Sequence, residues 1–435
     1  MDRLFENNLY EWKNNMTKPL MVIGVRQIGK TYTISKFCKE NFNEVLYFNL
    51  EKNESVKNIF EECLDSEKIL EELELNIGRK IDLENTVFFF DEVQVSERFI
   101  MSLKYFCESE KNYKIVCAGS LLGVKLNRFN SSFPVGKVKI EYMYPMTFEE
   151  FLMALNKNML IDKIKECYKE NKPMPDFAHQ EALYWYKRYL CIGGMPESIN
   201  NFIENDCDIL KYDTKILSNL IDMYIADMNK YTISNIESVK IEKIYKNVPM
   251  QLAKENKKFK YSDLEKGAKK RAYETAVDWL LSGNMVFNCT NVSKPEIPLK
   301  VFSDEGCFKL YLSDIGMLVR LSEVNFIDII QATSFMYRGA ITENYVAQEL
   351  KSKNISLYYW KSKSDAEIDF LLYNEQGIIP VEVKASDNTH SKSLNSYMSK
   401  YSPKYGIRVS TKNFGFENNI KSVPLYAVFC LVDKS

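Results

Sequence analysis

Histidine is almost missing from the 435 residues, with His179 and His390 the only two, and this excludes chemistry built on several imidazole ligands. The ten cysteines fall at irregular spacings with no CxxC pair, so free and mostly buried thiols in a reducing cytosol are expected. No apolar leader precedes Asp2, Arg3 and Glu6, and the densest apolar runs, at 19–25 and 87–90, are far shorter than the roughly 20 residues needed to cross a bilayer. They read as buried strands in a cytoplasmic protein with no membrane partner. An excess of one charge is lacking too: 58 basic against 59 acidic residues leave a net charge of -1, which excludes a basic coat for nucleic acid over the whole surface. Local patches survive that exclusion. Glycine is scarce at 16 residues, and no internal repeat or low-complexity tract is present.

What is present is ordinary globular composition, 46% hydrophobic and 27% charged, over a length that suggests about three domains at roughly 150 residues each. The near-neutral sum hides unlike halves: 30 basic against 36 acidic residues up to Asn235, and 28 against 23 after it. Up to residue 155, short apolar runs alternate with periodic polar stretches, the pattern of βα units around a parallel sheet. Residues 156–235 are helical in pattern, broken by Pro173, Pro175 and the Gly193-Gly194 pair. Residues 236–334 are lysine-rich helices leading into a β-ribbon, with two helices expected over 259–282, joined near Gly267. Residues 335–435 open with a helix and continue as strands at 357–360, 366–373 and 377–384.

Gly24-Val25-Arg26-Gln27-Ile28-Gly29-Lys30-Thr31 fits the phosphate-binding pattern GxxxxGK[ST], between an apolar strand and a helix. Glycines let such a backbone wrap a phosphate, and its N–H groups and the helix N-terminus supply positive potential. Lys30 would reach the β and γ phosphates of ATP, and Thr31 would offer its hydroxyl to Mg2+. Sixty residues on, the apolar run from Thr86 to Phe90 ends in Asp91 and Glu92. There Asp91 would hold the magnesium through water and Glu92 would polarise the attacking water. Ser120, at the end of a third buried strand, could sense the γ phosphate.

At these residues the chain resembles bacterial and archaeal AAA-type P-loop ATPases (AAA_14-like) that carry a C-terminal domain of unknown function (DUF4143-like) of restriction-endonuclease-like fold. The likeness extends through Gly119-Ser120-Leu121-Leu122, through Tyr144-Pro145-Met146-Thr147-Phe148-Glu149-Glu150-Phe151, and through Tyr189-Leu190-Cys191-Ile192-Gly193-Gly194-Met195-Pro196-Glu197, so it covers nearly the whole chain. It implies four parts: an AAA-type ATPase domain at 1–155, a helical lid or extension at 156–235, a winged-helix-like segment at 236–334 and a restriction-endonuclease-like domain at 335–435. In that family an arginine usually stands where this chain has Lys137, after Gly136, as a plausible finger for a neighbouring subunit's nucleotide. Lysine keeps the charge but loses the bidentate fork, and Arg128 is the substitute nearest in sequence.

Lys254, Lys257, Lys258, Lys260, Lys266, Lys269, Lys270 and Arg271 crowd the middle segment. A winged helix would set such residues against DNA, whereas a solvated lysine-rich face is the plainer reading. Near the C-terminus, Asp369 lies ahead of a turn at 374–377 and Glu382 and Lys384 follow it, two apart on one strand and so on one face. A hairpin there would bring Asp369 beside Glu382 as a two-carboxylate magnesium site with Lys384 at its edge, and Glu343 from the preceding helix could complete it. This order resembles the PD-(D/E)xK nuclease core.

The expected fold class is therefore α/β: a P-loop NTPase parallel sheet with a helical lid, a winged-helix segment and a nuclease-like C-terminal α/β domain. The expected activity is Mg2+-dependent ATP hydrolysis, coupled to DNA binding or cleavage through the C-terminal half, with oligomerisation open. The alternative is a nucleotide-dependent switch whose nuclease-like domain holds a protein or nucleic-acid partner without cutting it.

Overall fold

The computed structural model describes residues 1–120, 122–127, 134, 136–232, 234–331, 335–362, 366–386 and 392–432, and divides them into two units. The first comprises Met1–Tyr144 with Ser282–Asn284, the second Pro145–Leu281 with Met285–Ser435.

In the first unit, β1 (Leu20–Ile23), β2 (Glu44–Asn49), β3 (Thr86–Asp91), β4 (Ile115–Gly119) and β5 (Lys139–Tyr142) form one sheet in the order β2-β3-β4-β1-β5, every pair parallel. Helices on both faces make β1, β3 and β4 continuous apolar runs. Alternate side chains go to opposite faces. Met21, Ile23, Phe88, Phe90, Ile115 and Cys117 pack with Phe48, Phe60 and Phe99 in one core, where Phe90 meets Phe60 edge-on at 5.4 Å. Phe89 points the other way, towards Tyr47. Register brings Ile23 level with Gly119 of β4 and Tyr142 of β5, so the carboxyl ends of these strands lie at one height. All ten cysteines are free. Burial pushes the Cys38 thiol up to about 12 and that of Cys117 further still.

The second unit holds two sheets. β6 (Val286–Val292), β7 (Ser303–Leu312), β8 (Leu357–Lys361) and β9 (Glu367–Ile368) are ordered β7-β6-β8-β9. β10 (Phe370–Asn374), β11 (Gly377–Val383), β12 (Gly406–Ser410), β13 (Gly415–Glu417) and β14 (Ile420–Pro424) are ordered β10-β11-β12-β14-β13. The chain changes sheet at Asp369. Two expectations for the middle segment need correction. The first of the two helices expected over 259–282 is only a single tight turn at Tyr261–Asp263, followed by one helix, Lys270–Ser282. Gly267, at φ 81°, separates them. The β6–β7 ribbon is also no free wing, because β6 pairs in parallel with β8 on its other side.

The helix Arg338–Ser352 is buried from Ala340 to Leu350 although it carries Glu343, Asn344, Gln348 and Glu349. Each of these polar side chains answers a group on a neighbouring segment. Asn344 accepts from the Leu312 N–H at 2.8 Å and donates to the Leu312 carbonyl at 3.0 Å, in the manner of a strand neighbour. Gln348 accepts from the Ile315 N–H at 2.8 Å and donates to Tyr189. Glu349 accepts from the Phe148 N–H at 2.8 Å, at the start of a helix whose Thr147 and Glu150 form a capping box.

Two sequence blocks noted above turn out to be one packing motif. The Met146 N–H donates to the Gly194 carbonyl at 2.7 Å, and a Cβ at residue 194 would stand 2.1 Å from the Met146 carbonyl oxygen. Gly193 takes φ 74°, with Asp314 and Gly316 in the space a side chain would need. Asp314 caps the helix Ile315–Leu321 through the Met317 N–H and also accepts from the Gly194 N–H at 2.6 Å.

Burial raises the Glu349 carboxyl to about 8, with the Phe148 hydrogen bond and the Lys353 charge opposing it in part. The folded state therefore holds this proton across the range from the ordinary carboxyl value, about 4, up to 8. Its contribution to stability is greatest at low pH and is lost as pH rises through 8. Glu349→Gln should therefore raise the melting temperature more at pH 9 than at pH 5; an equal gain at both values, read by calorimetry, would contradict the assignment.

Candidate active site

The loop from Gly24 to Thr31 leaves the carboxyl end of β1 and enters the helix Lys30–Asn41. Gly24 is required by close approach: a Cβ there would lie 2.4 Å from the Met143 carbonyl oxygen and 2.5 Å from Ile28 Cδ1. Gln27 and Gly29 adopt left-handed φ values of 64° and 87° on either side of Ile28, and this alternation curls the backbone of the loop. Lys30 is buried, its Nζ donating to the Gly24 and Val25 carbonyls at 2.9 and 2.7 Å. Arg26 is half-buried at the loop's rim.

Thr31 Oγ1 donates to Asp91 Oδ2 at 2.7 Å, joining the loop to the end of β3. Tyr47 on β2 donates to the same oxygen at 3.2 Å, and its phenol is raised by burial and by the Asp91 charge. Glu92 follows in the left-handed region at φ 53°, its N–H bonded to Asp91 Oδ1 at 3.0 Å. That turn aims its carboxylate along the sheet edge, where Glu92 Oε2 accepts from Gln94 Nε2 at 2.5 Å and from Ser120 Oγ at 3.4 Å. Lys30, Thr31, Asp91, Glu92 and Ser120 thus meet at the carboxyl ends of β1, β3 and β4, where ligands of open parallel sheets bind.

Sequence reasoning missed Tyr47 and Gln94. Gln94 is fully buried, and its Oε1 would stand 2.5 Å from any Cβ at residue 119, which gives Gly119 its reason. The signal was local, a glutamine two residues after the acid pair. Lys137 pairs with Glu108 at 2.9 Å on the surface of this unit, and Arg128 lies outside the described residues.

The second candidate site is arranged differently from its expectation. The β10–β11 hairpin forms with Asn374 opposite Gly377, and it sets Asp369 beside β11 as expected. The Asp369 carboxylate there accepts the Val383 N–H at 2.8 Å. Burial and the Glu343 charge raise the Asp369 carboxyl to about 7. Glu382 is buried rather than facing outward, and its Oε1 pairs with Lys384 Nζ at 2.9 Å. Glu343 is already paired with cations. Lys309 Nζ lies 2.8 Å from Glu343 Oε1 and 2.6 Å from Glu367 Oε1, and Lys257 and Tyr311 also donate to Glu343. Although burial raises the Glu343 carboxyl, the Lys257 and Lys309 charges overcome this and hold it far below its ordinary range. Burial works against the Lys309 ammonium, yet the Glu343, Glu367 and Asp369 carboxylates keep it well above its usual value. Among the described residues no three His, Cys, Asp or Glu side chains are grouped to hold a metal ion. The lysine-rich stretch is likewise partly consumed: Lys254 pairs with Asp263, Lys257 with Glu343 and Lys270 with Glu274.

Residues 16–152 match the family model described as an AAA domain. Residues 183–327 and 338–428 match two domains of unknown function, DUF8612 and DUF4143. With the phosphate loop near the start of the matched residues, the first unit holds an AAA-type P-loop domain. The chain carries in addition a C-terminal DUF4143 domain. No curated protein matches the chain. Among solved structures it is similar to a Walker-type ATPase of Pyrococcus abyssi, at 15% identity and a TM-score of 0.44 over 74% of this chain and 95% of that one. It is also similar to the ORC2 protein of Aeropyrum pernix in ADPNP and ADP complexes, at 14% identity and a TM-score of 0.36 over 76% and 95%. No helix among the described residues is long and apolar enough to cross a membrane.

Removing Lys309 would leave the buried Glu343 and the half-buried Glu367 each short of a partner. Lys309→Met should destabilise the second unit by about 3–5 kcal/mol in urea unfolding, the range for breaking a buried pair from one side. Combining it with Glu343→Gln should recover part of that loss; an additive double variant would show that the two groups do not act as a pair.

Proposed function

We propose that the first unit hydrolyses ATP in a Mg2+-dependent reaction, with Gly24–Thr31 around the phosphates, Lys30 on the β and γ phosphates, and Thr31 and Asp91 as the oxygen donors for the metal. Glu92 polarises the attacking water and Ser120 senses the γ phosphate. The observation that carries this reading is the 2.7 Å bond between Thr31 Oγ1 and Asp91 Oδ2, which unites two residues 60 positions apart at the mouth of the loop. A hydroxyl and a carboxylate side by side suit a hard divalent cation, and magnesium, when bound, neutralises the charge of the β and γ phosphates. Glu92 is then the only acid of the pair left to act on water, and its bonds to Gln94 and Ser120 keep that carboxylate oriented.

For the C-terminal domain, we infer that a nuclease-like arrangement holds a protein or nucleic-acid partner without cutting it. The ammonium groups of Lys309 and Lys257 support this, because they already supply to Glu343 the positive charge that a metal would bring. Coupling of ATP turnover to such a partner, DNA included, follows as the role of the whole chain.

Lys30→Ala should abolish ATP binding, while Glu92→Gln should bind ATP as the wild type does and lose hydrolysis by a factor of roughly 10²–10⁴, the usual worth of a general base. Unchanged ATP affinity in Lys30→Ala, measured by titration with a fluorescent nucleotide, would sink the phosphate-loop reading. Wild-type protein incubated with supercoiled DNA and Mg2+ should leave it intact; nicking that disappears in Asp369→Ala would overturn the non-cutting reading and restore the nuclease.

A further inference from the structure

Arg3 precedes the helix Glu6–Asn15 and is only 6% exposed, unusual for an arginine. Its guanidinium is forked between two backbone carbonyls of distant segments. Nη1 donates to the Ile28 carbonyl at 2.6 Å and Nη2 to the Tyr144 carbonyl at 2.7 Å. Ile28 is the residue between the two left-handed positions of the phosphate loop, and its side chain is fully buried. A loop that turns its N–H groups inward to cradle an anion turns carbonyls outward, and an outward carbonyl in a buried setting needs a donor.

The partner segment is the back wall of the same loop. The Met143 N–H donates to the Ile23 carbonyl at 2.8 Å, and the Met143 carbonyl oxygen lies where a side chain on Gly24 would have to stand. Tyr144 follows at once. Arg3 therefore closes a ring from β1 through the wall and the guanidinium back to the loop, tying its curled part to the strand end from which it springs. Arg3 is itself held in place. Its neighbour Asp2 pairs with Lys36 on the helix Lys30–Asn41 at 2.6 Å, and Glu6 reaches the same ammonium at 3.4 Å. The Glu6 N–H donates to the Arg3 carbonyl at 3.0 Å.

We propose that Arg3 is a positioning residue for the phosphate loop, setting the loop in its nucleotide-binding shape before ATP arrives. This rests on the reading of residues 24–31 as the ATP site. The planar fork of arginine aims two fixed N–H donors at two carbonyls of separate segments; the ammonium of lysine lacks that fixed geometry, and methionine has no donor. Preorganisation of this kind acts on binding, since a loop that must be ordered by its ligand spends part of the binding energy on ordering.

The test compares wild type, Arg3→Lys and Arg3→Met for binding of a fluorescent ADP analogue and for steady-state ATP hydrolysis, with thermal melts as the check on folding. Arg3→Met should bind nucleotide about tenfold more weakly, the scale of losing one charge-assisted hydrogen bond, with KM raised more than kcat is lowered. Arg3→Lys should fall between it and the wild type. A folded Arg3→Met with wild-type affinity would overturn the proposal, and should that variant fail to fold, wild-type affinity in Arg3→Lys would do the same. If wild-type protein itself binds no nucleotide, the loop reading fails and takes this inference with it. Normal binding by the wild type together with indifference to residue 3 removes only the role of Arg3.

Discussion

A buried carbonyl or N–H without a partner costs about 1–3 kcal/mol, and both units are arranged around meeting that demand away from regular ladders. In the second unit the helix Arg338–Ser352 does this with side chains: Asn344 stands in for a strand along Leu312, and Gln348 and Glu349 receive the N–H groups of Ile315 and Phe148. In the first unit the same demand arises where β1 stops and the phosphate loop turns its carbonyls outward. There Lys30 and Arg3 receive them. Apolar packing gives each unit its mass, but these polar bonds decide which segments lie next to one another.

The order of dependence in the first unit runs from strand register to chemistry. Because β1 pairs with β4 so that Ile23 faces Gly119, the residue after each strand end projects into one shared space. Thr31, Asp91, Glu92 and Ser120 reach it from two strand ends and one helix start. The left-handed turn at Glu92 then separates two adjacent carboxylates that would otherwise point to opposite sides of a strand. One is tied to Thr31 and Tyr47, the other to Gln94 and Ser120. Two neighbouring acids thereby enter different environments.

Much of this was legible in the sequence wherever the determinant was local. The loop from Gly24 to Thr31 and the apolar run ending at Asp91 and Glu92 announce themselves through spacing and hydropathy, because the pattern needs glycines at a fixed spacing beside a strand end. The hairpin at Asn374–Gly377 was legible for the same reason. What stayed hidden depends on residues far apart in the chain. Nothing about Lys309 on β7 marks it as the partner of Glu343 and Glu367, and without that lysine Glu343 reads as a metal ligand beside Asp369 and Glu382. Arg3 lies 25 residues from Ile28 and 141 from Tyr144, and no periodicity connects them. The expected first helix of the middle segment failed for a different reason: its apolar residues are few and Gly267 breaks the backbone before a second turn can form.

The free thiols are distributed so that each unit carries a reporter of its own opening. Cys38 and Cys117 are sealed in the first unit and Cys289 in the second, all with thiols driven away from the reactive thiolate by burial. An alkylating reagent can reach them only when the surrounding structure parts, whereas Cys63, Cys107 and Cys207 are accessible from the start. The labelling rates of Cys38 and Cys117 on one side and of Cys289 on the other are therefore separate clocks, one for the parallel sheet of the first unit and one for the ion network beside β6. The chain records which of its halves breathes first without any label being engineered into it.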